Sequence, residues 1–244
     1  MRTLCFALSL LLLPLYAHAA DIALGAGVGL KDVLNELCAS YTARNPSVKI
    51  TKSYVASGAL AKQMDSGLSV DIVLVANQQW MDYLKGKKHV ERASITPFAY
   101  NSLVFVGTNQ GAVHGMHDLA GLNRIAIGSP KIVPAGDYAL HAIRKAGMEK
   151  ALESKLVMAR DVRDCLMYAE RNEVDGAFVY RSDSLKSHNA KLLFNVPQDL
   201  YPRVVYPMAM TASGARQPET VSFYKFLRST EATRVLRKHG FEIQ

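Results

Sequence analysis

Two periods of apolar residues alternate along the chain. Ile22-Ala23-Leu24 is a short apolar run that ends in Gly25-Ala26-Gly27-Val28-Gly29. From Leu30 the apolar positions recur at Val33, Leu34, Leu37, Cys38 and Tyr41, the i, i+3, i+4 stripe of a helix, until Asn45-Pro46 stops it. Val48-Lys49-Ile50 alternates as a strand, residues 60–64 read as a short helix, and 71–75 as a buried strand followed by a helix over 78–84. Strand and helix alternating at this spacing predict parallel βαβ units with right-handed crossovers, hence an α/β fold.

A second set follows the first. Strands are expected over 102–106, 124–128, 156–158, 176–180, 192–196 and 204–208, with helices over 136–146, 148–155, 162–171, 218–227 and 232–239. Two such sets predict two α/β lobes, with a ligand in the crevice outside the carboxyl ends of the strands.

The first twenty residues stand apart from this pattern. Met1-Arg2 is a basic start, residues 6–15 are apolar apart from Ser9 and Pro14, and Ala17-His18-Ala19 offers small residues where a signal peptidase reads. The apolar stretch falls short of the ~20 residues that span a bilayer. Residues 1–20 are therefore expected to be a cleaved signal peptide, cut after Ala19 or Ala20, which leaves a soluble, periplasmic protein. Cys5 precedes the apolar core, which is the wrong place for a lipoprotein anchor.

Composition then excludes whole classes. The 244 residues are 49% hydrophobic and 20% charged, which rules out a disordered or collagen-like chain. Net charge is +8, from 29 bases and 21 acids; loss of the leader, with Arg2 as its one charged residue, leaves +7. That surplus admits nucleic acid, an acidic membrane or a small anion without selecting among them. Cys38 and Cys165 remain on stretches that read as amphipathic helices, without metal-ligand spacing. They are expected as buried thiols, although this compartment would also allow a disulfide.

Candidate chemistry is sparse. The glycines after the first strand fail the dinucleotide pattern, because G-x-G-x-x-G needs a glycine where Leu30 stands and the second strand ends without an acid. His114-Gly115-Met116-His117 lacks further ligands nearby and is expected as a solvated pair. Ser57, in Val55-Ala56-Ser57-Gly58-Ala59-Leu60, has three readings: a helix N-cap, a nucleophile without a visible base, or a hydroxyl at a helix start that holds an anion. Val133-Pro134-Ala135-Gly136 and Asp161-Val162-Arg163 also open helices, where free amides and the helix dipole favour negative charge.

These blocks carry a resemblance. Residues 55–63, 70–73 and 76–83, then Asn101-Ser102-Leu103-Val104, 133–139, Asp161-Val162-Arg163, Glu170-Arg171-Asn172-Glu173, Phe178-Val179-Tyr180 and Tyr206-Pro207 stand in order along the chain. Over 21–244 the chain resembles the periplasmic molybdate-binding proteins, the solute receptors of ABC-type molybdate/tungstate importers. The resemblance implies a type II periplasmic-binding-protein fold, each lobe a mostly parallel sheet flanked by helices. Lobe I would take 21–99 and 208–244, lobe II 100–207, with hinge strands near 99–101 and 206–208.

It also implies a monomeric, non-enzymatic receptor, with no cofactor and no nucleic-acid partner, that delivers its oxyanion to a membrane permease. The metal arrives inside the oxyanion, so no residue ligates it directly. The implied donors are the hydroxyl and amide of Ser57, the amides of Ala135 and Val162, and the hydroxyl of Tyr180.

One position departs from the family pattern. Where the family has a serine after the first strand, this chain has Gly29, which keeps the amide and loses the hydroxyl. Three glycines there are expected to loosen that wall. Either the site still holds molybdate or tungstate, or it serves a different anion or small polar ligand; an exported Ser57-dependent hydrolase is the remote alternative.

Overall fold

The computed structural model describes residues 20–108 and 113–243, so the expected leader, except Ala20, lies outside the described residues. In the first lobe the chain runs through β1 (Ala20–Gly27), a 3-10 turn (Val28–Leu30), α1 (Lys31–Arg44), β2 (Val48–Val55), α2 (Ser57–Asp65), β3 (Ile72–Leu74), α3 (Gln78–Gly86) and β4 (Thr96–Asn101). It then enters the second lobe with β5 (Leu103–Gly107), β6 (Ile125–Gly128), α4 (Pro134–Lys145), α5 (Glu149–Leu152), β7 (Leu156–Ala159), α6 (Val162–Glu170), β8 (Gly176–Tyr180), α7 (Arg181–Ser184) and β9 (Lys191–Asn195). Strand β10 (Val204–Met210), α8 (Pro218–Phe226) and α9 (Thr230–Lys238) return to the first. Among the described residues no helix is long and apolar enough to cross a membrane.

Each lobe holds one five-stranded sheet, ordered β2-β1-β3-β10-β4 and β7-β6-β8-β5-β9. Both sheets are mixed, where the expectation was mostly parallel. β1 pairs in parallel with β2 and β3, and β6 with β7 and β8, as βαβ crossovers require. The antiparallel pairs all involve β10 or β5, the strands that begin just after the chain has passed between lobes.

Burial follows strand position. β3 and β8 lie inside their sheets and are buried at every residue, which explains their unbroken apolar sequences. β2 is an edge strand and puts Lys49 and Lys52 in solvent. The apolar stripe of α1 faces the core through Val33, Leu34, Leu37, Cys38 and Tyr41.

One strand escaped the period count. β4 contains Pro97, and proline argues against a strand in a sheet interior. Here β4 is an edge strand, and Pro97 sits opposite Pro207 at a register shift in β10, where neither residue has an amide to donate.

The lobes meet. Ser102 alone separates β4 in one sheet from β5 in the other. One apolar core runs from lobe to lobe through Leu30, Val162, Tyr180 and Tyr206. Across the cleft, the Gly58 amide donates to the Ile132 carbonyl at 2.9 Å.

Candidate functional site

The ends of several elements converge on one small cavity of about 20 Å³ between the lobes. The first lobe contributes Gly27 to Gly29 after β1, Ala56 and Ser57 at the start of α2, Ala76 after β3, and Tyr206 of β10. The second contributes Val133 to Ala135 at the start of α4, Asp161 and Val162 at the start of α6, and Tyr180 at the end of β8. A volume this small suits a compact ion and is far below the several hundred Å³ that organic ligands occupy. All five residues expected to hold the ligand, Gly29, Ser57, Ala135, Val162 and Tyr180, line it.

Helix starts leave backbone donors to be accounted for. In α6 the Asp161 carboxylate caps the helix, with Oδ1 accepting from the Arg163 amide at 2.8 Å and the Asp164 amide at 3.0 Å. Val162, between cap and capped amides, has no acceptor for its N–H among the described residues. In α4, Pro134 has no N–H to offer, and the amides of Gly136 and Asp137 both donate to the Val133 carbonyl. The Ala135 N–H is thereby left without an acceptor among the described residues.

Ser57 turns out not to be the N-cap. Ala56 holds that position, and Ser57 opens the helix. Its buried hydroxyl oxygen accepts from the Ala76 amide at 2.9 Å. That bond occupies a lone pair and leaves the hydroxyl proton to donate into the cavity. Among the described residues neither an imidazole nor a carboxylate bonds Ser57 Oγ, so no nucleophile–base pair is seen there at this serine. The amides of Ser57 and Gly29 likewise find no acceptor among the described residues.

Tyr180 supplies the second hydroxyl. It is buried and has no hydrogen-bond partner among the described residues. Burial, reinforced by the neighbouring Tyr206 and Tyr138, pushes its pKa well above the usual tyrosine value, so it remains protonated and can donate. Leaving a buried donor unmet costs about 1–3 kcal/mol. Several such donors around one cavity make a socket for an acceptor-rich, negatively charged group, with the starts of α2, α4 and α6 adding partial positive charge.

The glycine wall is tighter than expected. A Cβ at Gly25 would lie 3.0 Å from Leu60, and one at Gly27 would lie 3.2 Å from Ser57 Oγ, so the neighbours have already filled that space. Gly29 alone leaves ordinary room, its nearest neighbours being Asp183 Oδ2 and Val162 at 3.7 Å and Tyr206 at 3.8 Å.

Formal charge lies behind the wall. Arg163 stands with Nε 2.9 Å from Asp183 Oδ1, an ionic contact that lies off the N–H direction. Burial pushes the Asp183 carboxyl up to about 6, against the pull of Arg163 and Lys186. Arg181, His114 and His117 are exposed, and Cys38 and Cys165 are buried free thiols in different lobes. Sequence reasoning did not assign Ala76, Asp183 or Tyr206 to the site. Ala76 acts through Ser57 and Asp183 through Arg163, neighbours that only the fold supplies, and Tyr206 reaches the wall on β10.

Comparison with known proteins extends these observations. Residues 22–242 match the family model described as bacterial extracellular solute-binding protein. The chain is 30% identical over 236 residues to the molybdate-binding protein ModA of Escherichia coli strain K12, covering 93% of this chain and 91% of that protein. It is 30% identical over 233 residues to the ModA of Haemophilus influenzae, with 93% and 91% covered. The solved periplasmic molybdate-binding protein of Azotobacter vinelandii shares the fold, with a TM-score of 0.83 at 17% identity, over 91% of this chain and 99% of that one.

Proposed function

Because this chain belongs to the bacterial extracellular solute-binding protein family, we propose that it is a receptor that closes on a tetrahedral oxyanion, molybdate or tungstate, and delivers it to the membrane permease of an ABC importer. One observation carries the ligand class: the wall groups left unpartnered, the amides of Gly29, Ser57, Ala135 and Val162 and the hydroxyl of Tyr180, are all donors. With the Ser57 proton they match an ion that offers only acceptors. A fully deprotonated oxyanion is such an ion. Kinship with molybdate-binding proteins points to the larger oxyanions. A smaller anion would leave part of the set unmet, at about 1–3 kcal/mol for each buried donor.

The receptor works as an exported monomer and needs neither a resident cofactor nor nucleic acid. A second reading, a different anion or small polar ligand, is favoured by the space beside Gly29. Calorimetric titration with molybdate, tungstate, sulfate, phosphate and chromate separates the two. Micromolar or tighter binding of molybdate or tungstate, lost when Ser57→Ala and Tyr180→Phe are combined, is the expected result. Preference for another ion selects the second reading, and no heat with any of the five overturns the proposal.

A further inference from the structure

Two acids and two bases meet where the lobes touch behind Gly29. Arg163 bridges Asp183, 2.9 Å from its Nε, and Asp32, 2.6 Å from its Nη2. Lys186 Nζ lies 2.6 Å from the same Asp32 oxygen. Arg163, Asp183 and Lys186 belong to the second lobe, whereas Asp32 stands in the first turn of α1 in the first. Lys186 also lies 3.1 Å from Nδ1 of His239, whose Nε2 is 2.8 Å from Glu36, one turn beyond Asp32; Lys238 joins Glu36 at 2.8 Å.

The two lobes contribute differently. Asp183 belongs to the same lobe as Arg163, so their contact does not depend on the first lobe. Asp32 reaches it only on closure. Both partners continue directly from cavity segments: Arg163 follows Val162, and Asp32 lies three residues after Gly29. A ligand that draws the amides of Gly29 and Val162 together therefore also draws Asp32 onto Arg163 and Lys186.

We propose that Asp32 is a positioning residue for ligand retention: held between Arg163 and Lys186, its carboxylate clasps the closed lobes, a role that rests on the oxyanion receptor proposed above. Burial opposes the charge on Asp32, but the two cations outweigh it and hold the carboxyl at about 2, so the clasp is charged at neutral pH. Opening the lobes takes Asp32 away from both cations and leaves Arg163 its contact with Asp183. The clasp thus acts on ligand escape more than on ligand entry.

Trp80 provides the readout. It is the chain's one tryptophan, and its ring lies against Gly58 beside Ile132 of the opposite lobe. Molybdate-loaded protein is rapidly diluted and Trp80 emission followed. Asp32→Asn is expected to raise the dissociation rate about tenfold while changing the association rate less than about threefold. Asp32→Glu restores most of the slow dissociation. Raising salt to about 0.5 M speeds release from the wild type but not from Asp32→Asn. Lys186→Gln gives a smaller increase and supplies the test if Asp32→Asn folds poorly.

Unchanged dissociation in these variants overturns the clasp, even if their melting temperature falls. If the wild type binds none of the five oxyanions, the receptor proposal fails by itself. The clasp is then judged by small-angle scattering of the free chain: expansion with salt in the wild type but not in Asp32→Asn upholds it, and equal salt responses overturn it.

Discussion

Gly29 is where a single atom group decides the strength of the site. Gly29 lines the cavity, and a Cβ there would meet nothing nearer than 3.7 Å. A serine therefore fits without displacing its neighbours. Gly29→Ser would add a hydroxyl to the donor set, and a hydrogen bond to a charged group contributes about 1.5–3 kcal/mol. Molybdate affinity measured calorimetrically is expected to rise by about one to two decades. An unchanged or lower affinity would show that the cleft uses this space for a different ligand.

At the scale of elements, the site is a set of helix starts whose caps are incomplete in a useful way. Asp161 satisfies two amides of α6 and leaves Val162 free, while Pro134 and the Val133 carbonyl isolate Ala135 in α4. Asp161→Ala would unmake both cap bonds and destabilise α6 by about 0.5–2 kcal/mol. For a chain of this size, calorimetry should record a melting temperature lower by roughly 1–8 °C, at about 2–4 °C per kcal/mol. No change would mean that solvent satisfies those amides equally well. The apolar stripe of α1 and the apolar runs of β3 and β8 could be read from sequence because each element buries one face or both. The cap at Ala56 could not, since Ser57 looks like a better cap until its oxygen is seen to serve the Ala76 amide.

For the whole molecule, closure depends on how near the lobes can come. Gly58 brings the lobes close through backbone: a Cβ would lie 2.7 Å from Ile132 Cα and 2.5 Å from Trp80. Trp80 shares the lobe of Gly58, so that clash persists in open and closed states, whereas the clash with Ile132 is relieved by opening. Gly58→Ala is therefore expected to weaken ligand binding at least about tenfold, the equivalent of ~1.4 kcal/mol. Thermal melting with and without molybdate checks this through the smaller ligand-induced rise in melting temperature. An undiminished rise would show that the lobes close without this contact.

Local periodicity alone determined the α/β alternation, most helix and strand positions and the two sets of elements, because amphipathic burial repeats at 3.6 and 2 residues whatever the fold. The resemblance supplied the five expected ligand positions, which line one cavity. Tertiary structure decided the rest. Sequence places the Ala135 and Val162 amides at helix starts, but backbone amides are the same in every non-proline residue; that these and the Gly29 amide find no carbonyl among the described residues, and that their residues line one cavity, follows only from the fold. Mixed pairing around β5 and β10 arose from the passages between lobes. Asp32 and Arg163, separated by 131 positions, became partners only because the two sheets close on one another.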